Sequence, residues 1–502
     1  MSKSSRGKDY LRERASEINS LTNIVAEHDK SLAEYYVGRE FYVDRALNFD
    51  DHATFFVGPK GIGKSAVLQM VRLLRESETT RIIEIAPDDL AFQSLANAQA
   101  STPLLLEGGK YQWMFKSLWD YVLTVEVLRH EIPATGLGYI LDKLFGVFRG
   151  ESEKAARRLV GMTFTDEGHP KTLTDKMLDL INEIELSAGG TPGHVGARIE
   201  LGPNPGEGRE LQILNLVNKV AKHLGELLSR RYYLLVDDLD LHWNGTDIQN
   251  WFIAALFYSL RRMDRNKIKC VVAIREQIFR ELPLEDRDKF RAGVCSVNWD
   301  QVTVKKIVQM RLARVLRHNE SEIWTGLFYQ DVFEQLWQHS TGTPRDLLRL
   351  THACLNEAQK RGAKYVGEHD VTSGIRQFSL QRLDDLESEW AFKWRGLGHL
   401  ARRFRGWPKE FSLERIQELL IEIGCDFENG RVEAERYTWV RGFVEDPKAF
   451  AELLLTCGFL MHKLSRTDAP RVFDPSGGDR VSNASYFAIH PMYWLGLGIV
   501  GA

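Results

Sequence analysis

No uninterrupted apolar run in this chain approaches the roughly 18 residues that a membrane-spanning helix requires. The polar, charged N-terminus lacks the apolar core of a secretory leader. A soluble, cytoplasmic protein with no membrane contact is the expectation. Cysteine is scarce: the five (Cys270, Cys295, Cys354, Cys425 and Cys457) lie far apart, with no C-x-x-C pair. That spacing argues against a disulfide framework or a thiolate zinc site and fits free thiols in a reducing compartment. Neither charge is in excess, since 66 Lys and Arg stand against 69 Asp and Glu for a net −3. Nothing global therefore draws the chain to nucleic acid or anionic lipid, and any such surface would be a local patch. The sequence also lacks a metal-ligand cluster, a G-x-S-x-G elbow and a Cys/His pair with supporting context. No nuclease, protease or deaminase signature is therefore present.

What the chain does contain is Gly58-Pro59-Lys60-Gly61-Ile62-Gly63-Lys64-Ser65, which fills every fixed position of the phosphate-loop pattern G-x-x-x-x-G-K-[ST]. Ala53 to Val57 before it reads as a buried strand, and Ala66 to Leu74 after it has helical apolar spacing. Strand, glycine loop and helix start put backbone N–H groups and a positive helix end around a polyphosphate. Lys64 is expected to reach the β- and γ-phosphates, and the Ser65 hydroxyl to complete the coordination of Mg²⁺.

At 502 residues the chain has room for two to four domains. Residues 1–30 are polar with weak helical spacing around Leu11, Ile18, Leu21 and Ile24, and read as an exposed arm or helix. Apolar strands at 81–85, 232–236 and 270–274 alternate with helices at 66–74, 210–229 and 247–263, the signature of a parallel sheet wrapped in helices. This α/β core is assigned to 31–300, with a helical insertion at about 102–209 that opens with the aromatic stretch Tyr111–Arg129. Further helical patterns fall near 138–148, 152–160 and 172–186. The glycine- and proline-rich segment 187–208 reads equally as a mobile contact loop or a plain connector. The pattern is purely helical from about 302 to 362, which suits a helical lid assigned to 301–380. Residues 381–502 mix helices with a turn at Pro475-Ser476-Gly477-Gly478 and a strand Tyr486–Pro491, which suggests a winged-helix-like α+β module.

The run Tyr233 to Asp240 (YLLVDDLD) ends an apolar strand in acids, at the sheet edge where α/β folds bind ligands. Asp237 is the expected Mg²⁺-side carboxylate, and Asp238 is placed to orient or deprotonate an attacking water. Simple alternation along an extended segment would return Asp240 to the face of Asp238. Arg275 ends the strand that begins at Cys270 and is available to pair with a γ-phosphate. Gly342-Thr343-Pro344-Arg345 opens a lid helix, from which Arg345 would approach the phosphates from the other side.

Val37-Gly38-Arg39-Glu40, the phosphate loop, apolar-Asp-Asp, a strand ending in Arg and Gly-x-Pro in a helical lid follow one another in this order. In this the chain resembles the STAND signal-transduction ATPases and the neighbouring initiator-type AAA+ ATPases. It is more closely similar to bacterial P-loop ATPases marked by Asp-Asp-Leu-Asp and Arg-x-x-Ile-Phe, here Asp237–Asp240 and Arg275–Phe279, with a tryptophan-rich helix, here around Trp113 and Trp119. The likeness spans roughly residues 31–362. It implies an AAA+-like core binding ATP with Mg²⁺, in which Val37, Gly38 and Arg39 lie near the adenine. Phosphate contacts would come from Gly58, Pro59, Lys60, Gly61, Ile62, Gly63, Lys64, Ser65 and Ala66. It further implies that Arg275 is the first sensor and that Pro344 with Arg345 completes the lid side. The second acid is Asp238 where fast AAA+ motors carry glutamate, which favours a slow switch.

The functional expectation is an ATP-hydrolysing regulatory switch of a bacterial sensing system, in defence against phage, acting on an effector encoded on another chain. In a homo-oligomer, Arg287 or Arg291 would be the candidate arginine supplied to a neighbouring site. The alternative is a DNA-handling ATPase of initiator or loader type that grips duplex through the C-terminal module and the loop at 187–208. For that reading Arg395, Arg402, Arg403, Arg405 and Lys409, interleaved with Trp394, Phe404 and Trp407, form the best basic-aromatic patch. The same spacing more simply makes an amphipathic helix with its aromatics turned inward and solvated arginines outside. A third reading is a nucleotide-binding scaffold that scarcely hydrolyses. His490, before Pro491, reads as structural.

Overall fold

In the computed structural model the described residues are 29–75, 79–85, 110–132, 150–164, 212–240, 243–391, 393–431, 434–473 and 486–501, together with 11, 18–19, 21, 26, 169, 171–172, 175–176, 179–180 and 481. The segment 187–208, the helical pattern at 138–148 and the turn at 475–478 lie outside them. The chain divides into two compact units, one of residues 26–298 and one that joins 1–25 to 299–502.

The first unit is built on five parallel strands: β1 Phe55–Gly58, β2 Thr80–Ile85, β3 Arg231–Val236, β4 Ile268–Arg275 and β5 Val294–Ser296. Their order across the sheet is β2-β3-β4-β1-β5. β1 is buried along its whole length and β3 and β4 nearly so, as expected for strands covered on both faces. Parallel neighbours need crossovers. These are supplied by helices Lys64–Arg75 after β1, Asp247–Leu260 after β3 and Glu276–Glu281 with Arg287–Arg291 after β4. The aromatic stretch forms the helix Lys110–Leu128, which packs on Asp247–Leu260 and fixes it through Trp119 Nε1, donating to the Phe252 carbonyl at 2.9 Å. Phe55 of β1 stacks on Phe257 of the same helix, with ring centroids 4.1 Å apart. Helix Asp247–Leu260 starts where Thr246 caps it, its side chain accepting from the Gln249 amide.

β5 was not expected from the sequence. Three residues are too short to show a period, yet backbone pairing with β1 and burial of Cys295 define the strand.

The second unit is α-helical and then α+β. Helices Gln301–Leu316, Phe333–Gln338, Pro344–Lys360 and Glu368–Trp390 come first. An antiparallel sheet of β6 Glu410–Ser412, β7 Leu460–Lys463 and β8 Tyr486–Ile489 follows, in the order β6-β8-β7. Helices Leu413–Glu428 and Pro447–Thr456 lie between β6 and β7 in the chain, which gives the expected winged-helix-like topology. One core runs through both parts, from Val304 and Leu350 to Phe404, Phe487 and Tyr493. Helix Glu368–Trp390 is the shared element. Gly374 lets it approach the other long helix so closely that an added Cβ would lie 2.7 Å from the Cys354 amide. Farther along, Ser379 Oγ accepts from the Gly496 amide at 2.9 Å.

Three described residues of the expected exposed arm or helix are helical or turn but not exposed. Leu11, Ile18 and Leu21 are fully buried in this same core, and the Leu11 carbonyl accepts from Gln359 Nε2 at 3.3 Å. Their weak helical spacing marks a face that buries against a core formed far along the chain, which local polarity conceals.

Candidate functional site

β1 ends at Gly58, and the chain turns through Pro59–Gly63 into the helix that begins at Lys64. Gly61 and Gly63 hold φ of +83° and +109°, values that a side chain would strain. Gly58 is needed for a different reason. A Cβ there would stand 2.7 Å from the Val297 carbonyl oxygen and 3.1 Å from Ile62 Cγ2. Ile62 is buried beneath the loop, while Pro59 and Lys60 are exposed and Gly61, Gly63, Lys64, Ser65 and Ala66 are half-buried. Lys64 Nζ donates to the carbonyls of Gly58 at 3.0 Å and Pro59 at 2.9 Å, so its ammonium already lies across the mouth of the loop. A helix N-terminus, positive-φ glycines and an inward lysine are the chemistry of a phosphate cradle.

Strand order decides what faces this cradle. β4 lies between β3 and β1, and its register sets Arg275 level with Gly58. On the other side of β4, Val236 pairs with Val272, so β3 leaves the ladder just before the acids begin. The loop, Arg275 and the acidic run therefore occupy the C-terminal ends of three adjacent strands. The path out of β1 leads to one side of the sheet and the path out of β4 to the other, which is the switch-point crevice that ligands favour.

The acids themselves follow a turn. Asp238 adopts φ +58°, a left-handed conformation that aspartate tolerates better than most residues, and its amide donates to Asp237 Oδ1 at 3.0 Å. This overturns the expected alternation. Once Asp238 leaves the extended region the period of two no longer applies, so Asp240 need not share the face of Asp238. Instead Asp240 Oδ2 makes an ion pair with Arg275 Nε, without hydrogen-bond geometry at that nitrogen. Sequence reasoning missed this pair because its two members approach only through the β3–β4 pairing.

Upstream, Gly38 has φ +75° and caps the helix Arg39–Leu47, which packs on the helix after the loop. Val37 is half-buried, and Arg39 pairs with Asp44 at 3.1 Å in an exposed position. Two tyrosines anchor this region to the sheet. Tyr233 Oη donates to the Leu47 carbonyl at 2.6 Å, and Tyr42 Oη donates to the Asn298 carbonyl at 2.5 Å. Burial holds both phenols above their usual range. Neither contact had a signal in the sequence.

Pro344 and Arg345 belong to the other unit, at the first turn of their helix. Thr343 caps that helix through the Asp346 amide, and Thr341 Oγ1 donates to Asp346 Oδ2 at 2.6 Å. Arg345 is half-buried. Of the two candidate arginines for a neighbouring site, Arg287 donates to the carbonyls of Arg280 and Leu282 at 2.7 and 2.9 Å. Arg291 is 81% exposed and 3.1 Å from Asp288. The basic-aromatic patch is largely built into the fold. Arg402 pairs with Asp384, Arg403 with Asp426, and Lys409 lies over the Trp494 ring, while Phe404 and Trp407 are buried and Arg395 and Arg405 are exposed.

Among the described residues no group of three or more His, Cys, Asp and Glu side chains could hold a metal alone. The Ser65 hydroxyl and the Asp237 carboxylate are a donor set suited to Mg²⁺, which takes one or two carboxylates and draws its other oxygens from phosphates and water. Among the described residues no helix is long and apolar enough to cross a membrane.

Comparison with known proteins gives three kinds of match. The family described as the FunZ-associated C-terminal helical domain matches residues 303–387, the helical part of the second unit. A protein of Escherichia coli strain K12 named "Putative transposon gamma-delta 80.3 kDa protein" is 24% identical over 518 residues, covering 96% of this chain and 68% of that one. Among solved structures, Drosophila ORC bound to DNA aligns over 99% of this chain and 93% of its own at 12% identity and a TM-score of 0.33. The Aeropyrum pernix ORC1 protein in complex with DNA aligns over 97% and 93% at 13% identity and a TM-score of 0.35.

Proposed function

We infer that the chain is an ATP-binding and slowly ATP-hydrolysing regulatory switch. One observation carries the reading: the strand order sets a phosphate loop, an arginine and an acidic run on neighbouring strand ends of one sheet. Amides of the loop and of the first helical turn bind the phosphate oxygens. Lys64 exchanges the carbonyls of Gly58 and Pro59 for β- and γ-phosphate oxygens. Ser65 and Asp237 would hold Mg²⁺, which would supply positive charge against the triphosphate. Asp238 orients the attacking water and takes its proton, Arg275 pairs with the γ-phosphate, and Val37, Gly38 and Arg39 line the adenine side. Pro344 and Arg345 are assigned to the lid side.

The γ-phosphate then decides which surface is offered to a partner. A bacterial sensing role in defence against phage, with an effector on another chain, rests on the resemblance of the motifs. In an oligomer Arg291 is the better placed of the two candidates to reach a neighbour, because the backbone carbonyls already occupy Arg287. The winged-helix-like topology favours a second reading, a DNA-binding initiator- or loader-type ATPase. The ion pairs of Arg402 and Arg403 count against the patch once assigned to it, and the exposed face of helix Pro447–Thr456 carries Lys448, Glu452 and Thr456 rather than a basic row.

Calorimetry with MgATP tests the core reading. Lys64→Ala is expected to weaken binding about tenfold to hundredfold, the worth of charge-assisted bonds to phosphate. Asp238→Asn is expected to retain binding and slow phosphate release by a factor on the order of 10²–10⁴. Wild-type protein that takes up no nucleoside triphosphate would refute the assignment.

A further inference from the structure

We propose that Asp240 is a positioning residue that parks Arg275 away from the nucleotide, so that Asp240 and a γ-phosphate compete for one guanidinium. This rests on the nucleotide-binding reading above and deepens it to how the site tells triphosphate from diphosphate.

Three observations lead there. Arg275 and Asp240 form an ion pair with side chains only 29% and 25% exposed, so water screens it less than it screens a surface pair. Arg275 ends a strand that runs between the acidic strand on one side and the strand of the phosphate loop on the other, level with Gly58. Its backbone is fixed twice, by the β1–β4 ladder and as the N-cap of helix Glu276–Glu281, so exchange of partners requires only a side-chain rotation. Asp240 lies beyond the left-handed turn at Asp238, where the chain has left the ladder. One planar cation thus has an acid on one flank and a phosphate cradle on the other. Arginine suits such an exchange, because its charge is permanent and its fork of donors matches carboxylate and phosphate alike.

Linkage fixes the direction of the effect. A contact made only in the free state lowers affinity for whatever must break it, by the factor the contact is worth. Triphosphate must draw Arg275 from Asp240, whereas diphosphate offers no γ-oxygen and leaves the pair intact. Asp240 therefore holds triphosphate affinity down selectively.

The test measures, on the full chain with Mg²⁺, affinities for ADP and for a non-hydrolysable ATP analogue by calorimetry. Asp240→Asn is expected to tighten the triphosphate analogue about twofold to fivefold, the range for one partly exposed ion pair, and to leave ADP unchanged. Asp240→Glu keeps the charge and should restore the wild-type ratio. Arg275→Ala should weaken the triphosphate alone, and adding Asp240→Asn to it should change nothing further. A ratio of the two affinities unmoved by Asp240→Asn, or equal weakening of both nucleotides, overturns the proposal, as does an effect of Asp240→Asn that persists without Arg275. Those results leave nucleotide binding itself standing. Wild-type protein that binds neither nucleotide would remove the nucleotide reading and this proposal together.

Discussion

At the level of single residues, the phosphate loop shows two different demands for glycine. Gly61 and Gly63 are required by positive φ, but Gly58 is required by space, since its neighbours are a backbone oxygen of Val297 and the Ile62 side chain. A carbonyl oxygen at 2.7 Å cannot step aside as a flexible side chain would. Gly58→Ala is therefore expected to cost about 1–3 kcal/mol of stability, the usual range for overpacking. The corresponding fall in melting temperature is roughly 2–10 °C for a unit of this size. A thermal melt that matched wild type would show that the segment around Val297 gives way freely. The glycine pattern was legible in the sequence, but its reason at this position was not, because Val297 arrives from beyond β5. Asp240 makes the same point more strongly. Alternation along an extended segment would put its side chain on the face of Asp238, and the left-handed Asp238 removes that alternation.

Among the elements, the short 3₁₀ turn Pro491–Tyr493 after β8 is held by a titratable cap. His490 Nδ1 accepts from the Met492 amide at 3.2 Å, which only an unprotonated ring nitrogen can do. Burial pushes His490 down to about 4, with the neighbouring Asp346 opposing the shift and Arg382 and His339 adding to it. Between pH 4 and 6.5 the unfolded chain therefore binds a proton that the folded one excludes. The associated stability is complete above pH 6.5, falls as pH drops through that window and is lost near pH 4. The full span is on the order of 3 kcal/mol. His490→Asn keeps a capping oxygen and cannot titrate, so its melting temperature should vary less with pH than that of wild type between pH 6.5 and 4. Parallel curves would place the acid sensitivity elsewhere. The sequence identified this histidine as structural but gave no hint of its depressed basicity, which comes from burial among segments remote in the chain. The long elements were legible because period and length announce them, as in Lys110–Leu128 and Asp247–Leu260. β5 and β6, three residues each, were not, since pairing partners alone define them.

For the whole molecule, the informative fact is that the second unit is discontinuous in sequence. Residues 1–25 cluster with 299–502, and Leu11, Ile18 and Leu21 are each fully buried there. Burying one such side chain contributes about 1.5–3 kcal/mol. Deleting residues 1–25 should therefore lower the stability of that unit by several kcal/mol, seen as an earlier urea midpoint by tryptophan fluorescence. An unchanged midpoint would mean that the segment adds nothing to that core. The helical part and the winged-helix-like part of this unit share one core through helix Glu368–Trp390, so any displacement of the first carries the second with it.

The sequence by itself determined the parts whose geometry is local: the phosphate loop, the apolar strand that ends in Asp237 and Asp238, the strand that ends in Arg275, and the alternation that demands a parallel sheet. Such features are set by φ and ψ preferences and by hydrogen bonds within a few residues of one another. Tertiary structure alone decided that β4 lies between β3 and β1, that Asp240 meets Arg275, that Val297 limits position 58, and that Leu11, Ile18 and Leu21 are core. Each of these joins segments remote in the chain, and packing and strand pairing choose among such partners where no local period can.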